Sequence, residues 1–270
     1  MILLPRGSSF HLRSIYLDLY QYCINLSRAV GEDHALAQTS ELPKFIQLSE
    51  MLIREIAAGR LVDGARLPPE REMADDLGVA VGTLRKALAD VEAKGLLDRI
   101  QGSGNYVRQK PVVESVYAFF RLELLQGGGL PRAQVLSVDR LPKPEPFAAL
   151  GGHAEGHRIR RLRFLGDVQI ALEEIWLDAG WRDAITVADL ADSLYYFYRH
   201  ELGLVIAAVE DRIGLDVLPD WTPATYHQPK GTTSGYIARF SQTAAKQTAE
   251  FSRTWYDTSR ANYISRMGKG

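Results

Sequence analysis

Two arginines, Arg161 and Arg163, stand two positions apart in the C-terminal half of the chain. Side chains two apart on a strand point to the same face, so their guanidinium groups would lie side by side. Two guanidiniums that face the same way form a fork that suits a carboxylate or a phosphate. Glu173, ten positions further on, can hold a hydroxyl or an amine of the same ligand. The chemistry indicated is recognition of a small anion.

The placement of these residues follows from two predicted strands joined by a tight turn. Strands are predicted at 157–165 and 168–177, and Gly166-Asp167 between them is typical of the tight turn of a β-hairpin. On such a hairpin Glu173 lies on the strand paired with the arginines. The residues alone leave an alternative open, in which Arg161 and Glu173 form only a cross-strand ion pair on the surface.

Further segments around the hairpin predict strands and one helix. The strands are expected at 133–140, 236–240 and 249–256, and a tyrosine-rich helix is expected at 190–202. Within that helix, the cluster Tyr195-Tyr196-Phe197-Tyr198 is more typical of core and rim positions than of a cofactor site.

A second constellation lies in the N-terminal half, where three short helices are predicted. The first runs from Pro43 to Gly59, the second opens with Pro69 in its first position and breaks at Gly78, and the third ends at Gly95. The third helix turns an apolar row to the core, made of Leu84, Ala87, Leu88 and Val91. Its outward side chains are then Thr83, Arg85 and Lys86.

A glycine-containing hairpin follows the helices. Its strands are predicted at 96–100 and 105–107, joined through Gln101-Gly102-Ser103-Gly104, a loop that needs the conformational freedom of glycine. Helix, turn, helix and hairpin in this order make a winged helix-turn-helix, which is a DNA-reading device. Residues 79–110 carry six basic and three acidic side chains, a balance of about +3 that suits phosphate. A plain amphipathic surface can carry such charges, so the order of elements is the stronger signal.

Residues 43–110 closely resemble the DNA-binding domain of the GntR family of bacterial transcription regulators. The resemblance is carried by Leu67-Pro68-x-Glu70-Arg71-Glu72, Leu77-Gly78-Val79, Thr83-x-Arg85-x-Ala87-Leu88, Gly95-Leu96-Leu97 and Gln101-Gly102-x-Gly104. It implies contacts with bases and phosphate for Arg71, Thr83 and Arg85, and entry of the wing glycine, Gly102 or Gly104, into the minor groove. The candidate DNA-binding set also includes the neighbouring Val81, Lys86 and Gln101.

Two positions depart from the family pattern. Pro69 stands where the family usually has serine, so a hydroxyl that could cap the helix or touch phosphate is missing. Ala80-Val81 stands where the family usually has Ser-Arg. Arginine there can pair with guanine, whereas valine can pack only against a thymine methyl group or a sugar. The resemblance therefore predicts the fold but not the operator sequence.

The C-terminal half resembles the ligand-sensing UTRA domain of the HutC subfamily of the same family, whose fold is like that of chorismate lyase. The resemblance is carried by Arg161-Leu162-Arg163, Glu173, Ser193-Leu194-Tyr195, Glu250 and Tyr256. It implies a mostly antiparallel sheet with an effector pocket. In that pocket Ser193 and Tyr195 would supply hydroxyls, and Glu250 and Tyr256 would close the opposite side. Residues 215–235 match the subfamily poorly.

Composition sets broader limits. A chain of 270 residues that is 46% hydrophobic predicts two domains, and its net charge of −1 indicates no partner by itself. The single cysteine, Cys23, fits a reducing cytoplasm. Neither a membrane span nor a secretory signal is predicted. The six histidines show no metal-ligand spacing, so neither a metal nor a cofactor is expected.

These features together predict an α+β chain in four parts: an extension without an assigned role (1–40), a winged helix-turn-helix domain (41–109), a linker (110–115) and a chorismate-lyase-like effector-binding domain (116–268). The resemblance implies a cytoplasmic homodimer, most often a repressor, that binds palindromic double-stranded operator DNA. A small anionic metabolite, such as a sugar phosphate, an amino acid or an organic acid, would control it. The alternative is an enzyme of the same fold acting on a small carboxylate, although no activated nucleophile or acid–base pair supports it.

Overall fold

The computed structural model describes residues 42–109, 115–145, 147 and 150–266. The predicted extension 1–40, with Cys23, and the linker residues 110–114 lie outside the described residues. The chain forms two compact units, which divide between Ser115 and Val116. Among the described residues, no helix has both the length and the apolar character that a membrane crossing requires.

Three helices form the frame of the first unit: α1 (Lys44–Ala57), α2 (Glu70–Asp76) and α3 (Val81–Ala93). Pro69 lies immediately before α2 in an extended conformation, so the prediction that it occupies the first helical position is wrong by one residue. Gly78 has a φ of +59°, a left-handed conformation that lets the chain turn between α2 and α3. Helix α1 packs against α3, and Leu52 and Leu84 are buried.

A two-stranded hairpin, the wing, completes this unit. Strands β1 (Leu97–Ile100) and β2 (Gly104–Val107) pair antiparallel, with Leu97 opposite Val107. Gly102 at the tip has a φ of +75°, as expected for a loop that needs glycine. The first unit is therefore the predicted winged helix-turn-helix.

The second unit is built on a six-stranded antiparallel sheet with the strand order β4-β5-β6-β9-β8-β7. The strands are β4 (Pro131–Pro142), β5 (Glu155–Leu165), β6 (Val168–Asp178), β7 (Ala208–Val217), β8 (Thr233–Gln242) and β9 (Thr248–Tyr256). A separate antiparallel pair joins β3 (Leu122–Leu124) to β10 (Ala261–Tyr263). Short 3-10 helices at Ala179–Trp181 and Val187–Asp189 precede the α-helix α4 (Leu194–Glu201).

Two elements of this unit differ from their predictions. Helix α4 is shorter than the predicted 190–202, because Ser193 caps its start by accepting a hydrogen bond from the Tyr196 backbone N–H. Strand β7 was not predicted at all. Its residues are mostly exposed, although Ile213, Leu215 and Val217 alternate with polar residues or glycine in the way that indicates a strand.

The sheet has two covered faces. On the first, which we call the helix face, Ile159, Ile175 and Leu177 pack against the aromatic side chains of α4. On the second, the loop face, Leu162, Leu172 and Trp255 pack against residues of the segment between β7 and β8. Because side chains alternate along a strand, neighbouring residues of β5 and β6 belong to different faces.

Candidate functional site

The predicted arginine pair lies on the helix face, in the middle of the β5–β6 hairpin. Arg161 is directly opposite Glu173, and one carboxylate oxygen of Glu173 lies 2.6 Å from Arg161 and 3.1 Å from Arg163. The arginines are only 2% and 4% exposed. The cross-strand ion pair of that alternative forms, but it is buried rather than on the surface.

These three charged groups border a cavity of about 50 Å³. Six of the seven predicted effector-binding residues line it: Arg161, Arg163, Glu173, Ser193, Tyr195 and Glu250. The structure does not bring the seventh, Tyr256, to the cavity. Its ring lies against Gly235 and belongs to a neighbouring apolar cluster with Leu165 and Ile237.

Glu250 forms the polar wall on the far side of the cavity. Its carboxylate accepts hydrogen bonds from Tyr198 at 2.6 Å and from Ser241 at 2.9 Å, and Tyr195 lies within 3.4 Å. Burial raises the pKa of Glu250 above its ordinary value, and the hydrogen bonds from Tyr198 and Ser241 only partly oppose that rise. Glu250 therefore holds its proton more readily than an exposed glutamate.

Ser193 borders the cavity, but its hydroxyl is already engaged. The Oγ atom donates to the backbone carbonyl of Val116 at 2.9 Å and accepts from the Tyr196 backbone N–H at 3.3 Å. Its first task is therefore to cap α4. A ligand that binds the Ser193 hydroxyl has to compete with these two bonds.

A third guanidinium, that of Arg239 on β8, lines the cavity and was missed in the sequence. Asp211 on β7 holds it with two bonds of 2.6 and 2.7 Å. Burial alone lowers the pKa of Arg239, but the hydrogen bonds that Arg239 donates to Asp211 reverse this effect and raise the pKa. Arg239 lies within a predicted strand, two residues after Ile237. Because side chains two apart on a strand share a face, an inward-facing Ile237 was the signal that could have placed Arg239 on an inward face as well.

The cavity carries an excess of positive charge. Burial alone raises the pKa of Glu173, but the guanidiniums of Arg161 and Arg163 outweigh it and lower that pKa to about 2. Burial also raises the pKa of Asp211, and Arg239 more than offsets it, so this carboxylate is ionised as well. Three guanidiniums thus face two ionised carboxylates, and Glu250 adds a negative charge only when it loses its proton.

The predicted DNA-contacting residues lie on α2, α3 and the wing of the first unit. Arg71, Arg85, Lys86, Gln101 and Gly102 are exposed, whereas Val81, Thr83 and Gly104 are half-buried. The long cationic side chains and the wing tip are therefore open to a partner.

Glu70 is the residue of this surface that the sequence did not single out. Its carboxylate accepts from Arg85 Nε at 2.7 Å and from an Arg99 guanidinium nitrogen at 3.0 Å. The hydrogen bond from Arg85 is the main cause that lowers the pKa of Glu70. Glu70 thus ties the outward arginine of α3 to β1 of the wing.

Comparison with known proteins assigns both units. Residues 46–107 match the description "Bacterial regulatory proteins, gntR family", and residues 126–262 match "UTRA domain". The HTH-type transcriptional regulator SmoD of Agrobacterium fabrum is 53% identical over 84% of this chain and 97% of its own length. The chain belongs to the GntR family.

Two further relatives agree with this assignment. The HTH-type transcriptional regulator Rv0792c of Mycobacterium tuberculosis is 31% identical over 75% of this chain and 73% of its own length. The HTH-type transcriptional repressor NagR of Bacillus subtilis is 31% identical over 50% of this chain and 57% of its own length. This GntR regulator with a UTRA domain is therefore a DNA-binding transcription regulator, and the enzyme alternative is wrong.

Proposed function

We propose that this GntR-family regulator is a cytoplasmic homodimeric repressor whose operator binding is controlled by a small anionic metabolite held in the cavity of its UTRA domain. The observation that carries the proposal is the shared carboxylate: two buried arginines, Arg161 and Arg163, line one cavity, and Glu173 is the only carboxylate of the described residues that forms an ion pair with them. A ligand carboxylate or phosphate gives the second guanidinium an anion of its own.

An unsatisfied donor supports the same ligand class. The Nε–H of Arg163 is buried and has no hydrogen-bond acceptor among the described residues. Burial also lowers the pKa of Arg163, so its charged form is held at a cost in this environment. An anion beside Arg163 would accept a hydrogen bond from the buried Nε–H and would neutralise the charge that burial makes costly.

The size of the cavity supports a coupling between ligand and DNA. Sites for small organic ligands usually measure roughly 300–1,000 Å³, whereas this cavity measures about 50 Å³. A metabolite must therefore displace lining side chains such as Tyr195 or Arg239 when it enters. A ligand that binds the opened arrangement more tightly shifts the equilibrium toward it, which is the thermodynamic requirement for control of operator binding.

The decisive experiment compares Arg163→Ala with Arg132→Ala, an exposed arginine on β4. Operator binding is followed by fluorescence anisotropy with promoter fragments, while sugar phosphates, amino acids and organic acids are titrated in. We expect Arg163→Ala to weaken the response to the active anion by about 10–100-fold, the value of one or two charge-assisted hydrogen bonds. Ligand-free operator binding should be retained, and Arg132→Ala should behave as wild type. A normal response of Arg163→Ala contradicts the cavity assignment.

For the DNA surface, we propose that Arg85 contacts phosphate. Affinity for DNA falls with salt, and removing one phosphate contact reduces the steepness of log affinity against log salt concentration by about 1. Arg85→Ala should therefore weaken operator binding and flatten the salt dependence, while Lys44→Ala on α1 leaves both unchanged. If Arg85→Ala binds with the wild-type salt slope, Arg85 is not at the interface with phosphate.

A further inference from the structure

Strand β7 lies at one edge of the six-stranded sheet and exposes apolar side chains. Among the described residues it pairs only with β8, and its other side is open. Ile213, Leu215 and Val217 are 54%, 74% and 52% exposed, and all three point to the same face. A ten-residue edge of this kind is prone to uncontrolled pairing unless something covers it.

The backbone of β7 has its free hydrogen-bonding groups at alternate positions. Just beyond the strand, the Leu218 N–H donates to Thr232 on the β8 side at 2.9 Å. Even-numbered residues of β7 therefore bond to β8, and odd-numbered residues direct their N–H and C=O groups to the open edge. Ile213 and Leu215 are two of these odd-numbered residues.

We propose that β7 pairs antiparallel with β7 of a second copy of this chain, about a two-fold axis at Gly214, and joins the two sheets into one. The inference rests on the homodimer of the proposed function and names its surface. In this register Ile213 lies opposite the partner's Leu215, and their outward backbone groups hydrogen-bond. Arg212 lies opposite the partner's Asp216, and both side chains are exposed in the single chain.

Side-chain chemistry selects this register over its neighbours. An axis at Arg212 sets two arginines opposite each other, and an axis at Ile213 sets Glu210 opposite the partner's Asp216; both are like-charge pairs, which destabilise a sheet. An axis at Asp211 pairs Glu210 with Arg212 but leaves Leu215 beyond the paired length. Only the axis at Gly214 combines opposite charges with burial of the most exposed apolar residues of β7.

The register makes a sharp prediction at the axis itself. Gly214 bonds to β8, so across the two-fold axis it forms a non-hydrogen-bonded pair, with Cα atoms about 4.5 Å apart. That separation lies within the range of about 4.4–6.8 Å that a disulfide spans. A Cβ atom added at Gly214 has no neighbour within 4 Å, so cysteine fits there without strain.

The test uses the full chain with Cys23→Ser as background. Gly214→Cys, mildly oxidised and run on a non-reducing gel, should become mostly covalent dimer. The matched control is Arg212→Cys, whose two Cα atoms lie roughly 14 Å apart in this register, four residues along the strand, and which should stay unlinked. Independently, Leu215→Lys should raise the dimer dissociation constant at least tenfold in analytical ultracentrifugation, whereas Leu125→Lys, equally apolar and 54% exposed in wild type, should not.

The possible failures separate this inference from the proposed function. A dimer that Gly214→Cys does not link, or that Arg212→Cys links instead, overturns the β7 register and leaves the homodimer standing. That outcome includes the case in which another segment of the chain covers β7. A monomeric wild-type protein overturns both the inference and the proposed homodimer. The response of operator binding to an anion is measured separately, and its result does not depend on the dimer.

Discussion

Glu173 and Glu174 are neighbours in sequence, yet they point to opposite faces of the sheet, and each is shared by two arginines. The helix-face cluster consists of Glu173 with Arg161 and Arg163. The loop-face cluster consists of Glu174 with Arg160 and Arg253. The local chemistry of the two clusters is the same. The helix-face cluster borders the cavity described above.

The two clusters differ in the aromatic rings that cover them. On the loop face, the Arg160 guanidinium lies 4.8 Å from the centre of the Trp221 ring, and that of Arg253 lies 5.6 Å from Trp255. Each arginine of the loop-face cluster is therefore covered by an aromatic ring. On the helix face, among the residues that the structure describes, only Arg163 of this cluster is covered in this way, by Phe120 at 4.9 Å. Under the proposed function, the helix-face arginines bind the ligand because the packing leaves a cavity beside them, whereas aromatic rings cover both arginines of the loop-face cluster.

The largest effect should come from removing either shared carboxylate. Glu173→Gln leaves two buried guanidiniums without an anion, at a cost of about 3–5 kcal/mol in the free energy of unfolding. Glu174→Gln should cost less, because the side chains of Arg160 and Arg253 are 21% and 35% exposed and can be rehydrated. Urea unfolding of both variants measures this. Only Glu173→Gln should also alter the effector response; an equal or larger loss for Glu174→Gln contradicts the contrast in burial.

The stability contributed by Glu173 should also depend on pH. The pKa of Glu173 is about 2 in the folded protein and 4.5 as the reference value, so its stabilisation is present above about pH 4.5 and is lost as pH falls toward 2. The shift corresponds to on the order of 3 kcal/mol. The stability difference between wild type and Glu173→Gln should therefore shrink as unfolding is measured at progressively lower pH below about 4.5. A difference that stays constant over this interval is inconsistent with an ionised Glu173.

A smaller effect is expected at Glu250, which has no counterpart on the loop face. Its pKa is raised by burial, and its ionised form repels an anion in the cavity. Affinity for sulfate, used as a non-titrating probe in calorimetry, should fall by up to about tenfold per pH unit as pH rises through this pKa. Glu250→Gln should remove the pH dependence, and Glu174→Gln should keep it. Unchanged pH dependence in Glu250→Gln assigns the titration to another group.

The smallest effects concern the rings over the arginines. Trp221→Leu and Phe120→Leu each remove a cation–π contact worth about 0.5–2 kcal/mol. Trp221→Leu should lower only stability, whereas Phe120→Leu should also change the affinity of the effector. If both variants respond to the effector alike, the two faces do not differ in function as they differ in packing.

Much of this protein is readable from its sequence. Helical periodicity and glycine positions predict the order of elements in the first unit, and the GntR and UTRA resemblances are confirmed. The start of α4 is set by the Ser193 side chain, which accepts a hydrogen bond from the Tyr196 backbone N–H. The same hydroxyl donates to the backbone carbonyl of Val116, a partner 77 residues away that the sequence could not predict. Strand β7 was not predicted, although Ile213, Leu215 and Val217 alternate with polar residues or glycine, which is the pattern that indicates a strand.

What the sequence determined by itself is local: alternation along β5 sets Arg161 and Arg163 side by side, and a tight turn brings Glu173 opposite them. What only the tertiary structure decided is that the helix-face arginine cluster has a cavity beside it. That space is enclosed by residues from α4, β8 and β9, namely Tyr195, Arg239 and Glu250. A cavity is a volume between elements distant in sequence, so no periodicity within one element can reveal it.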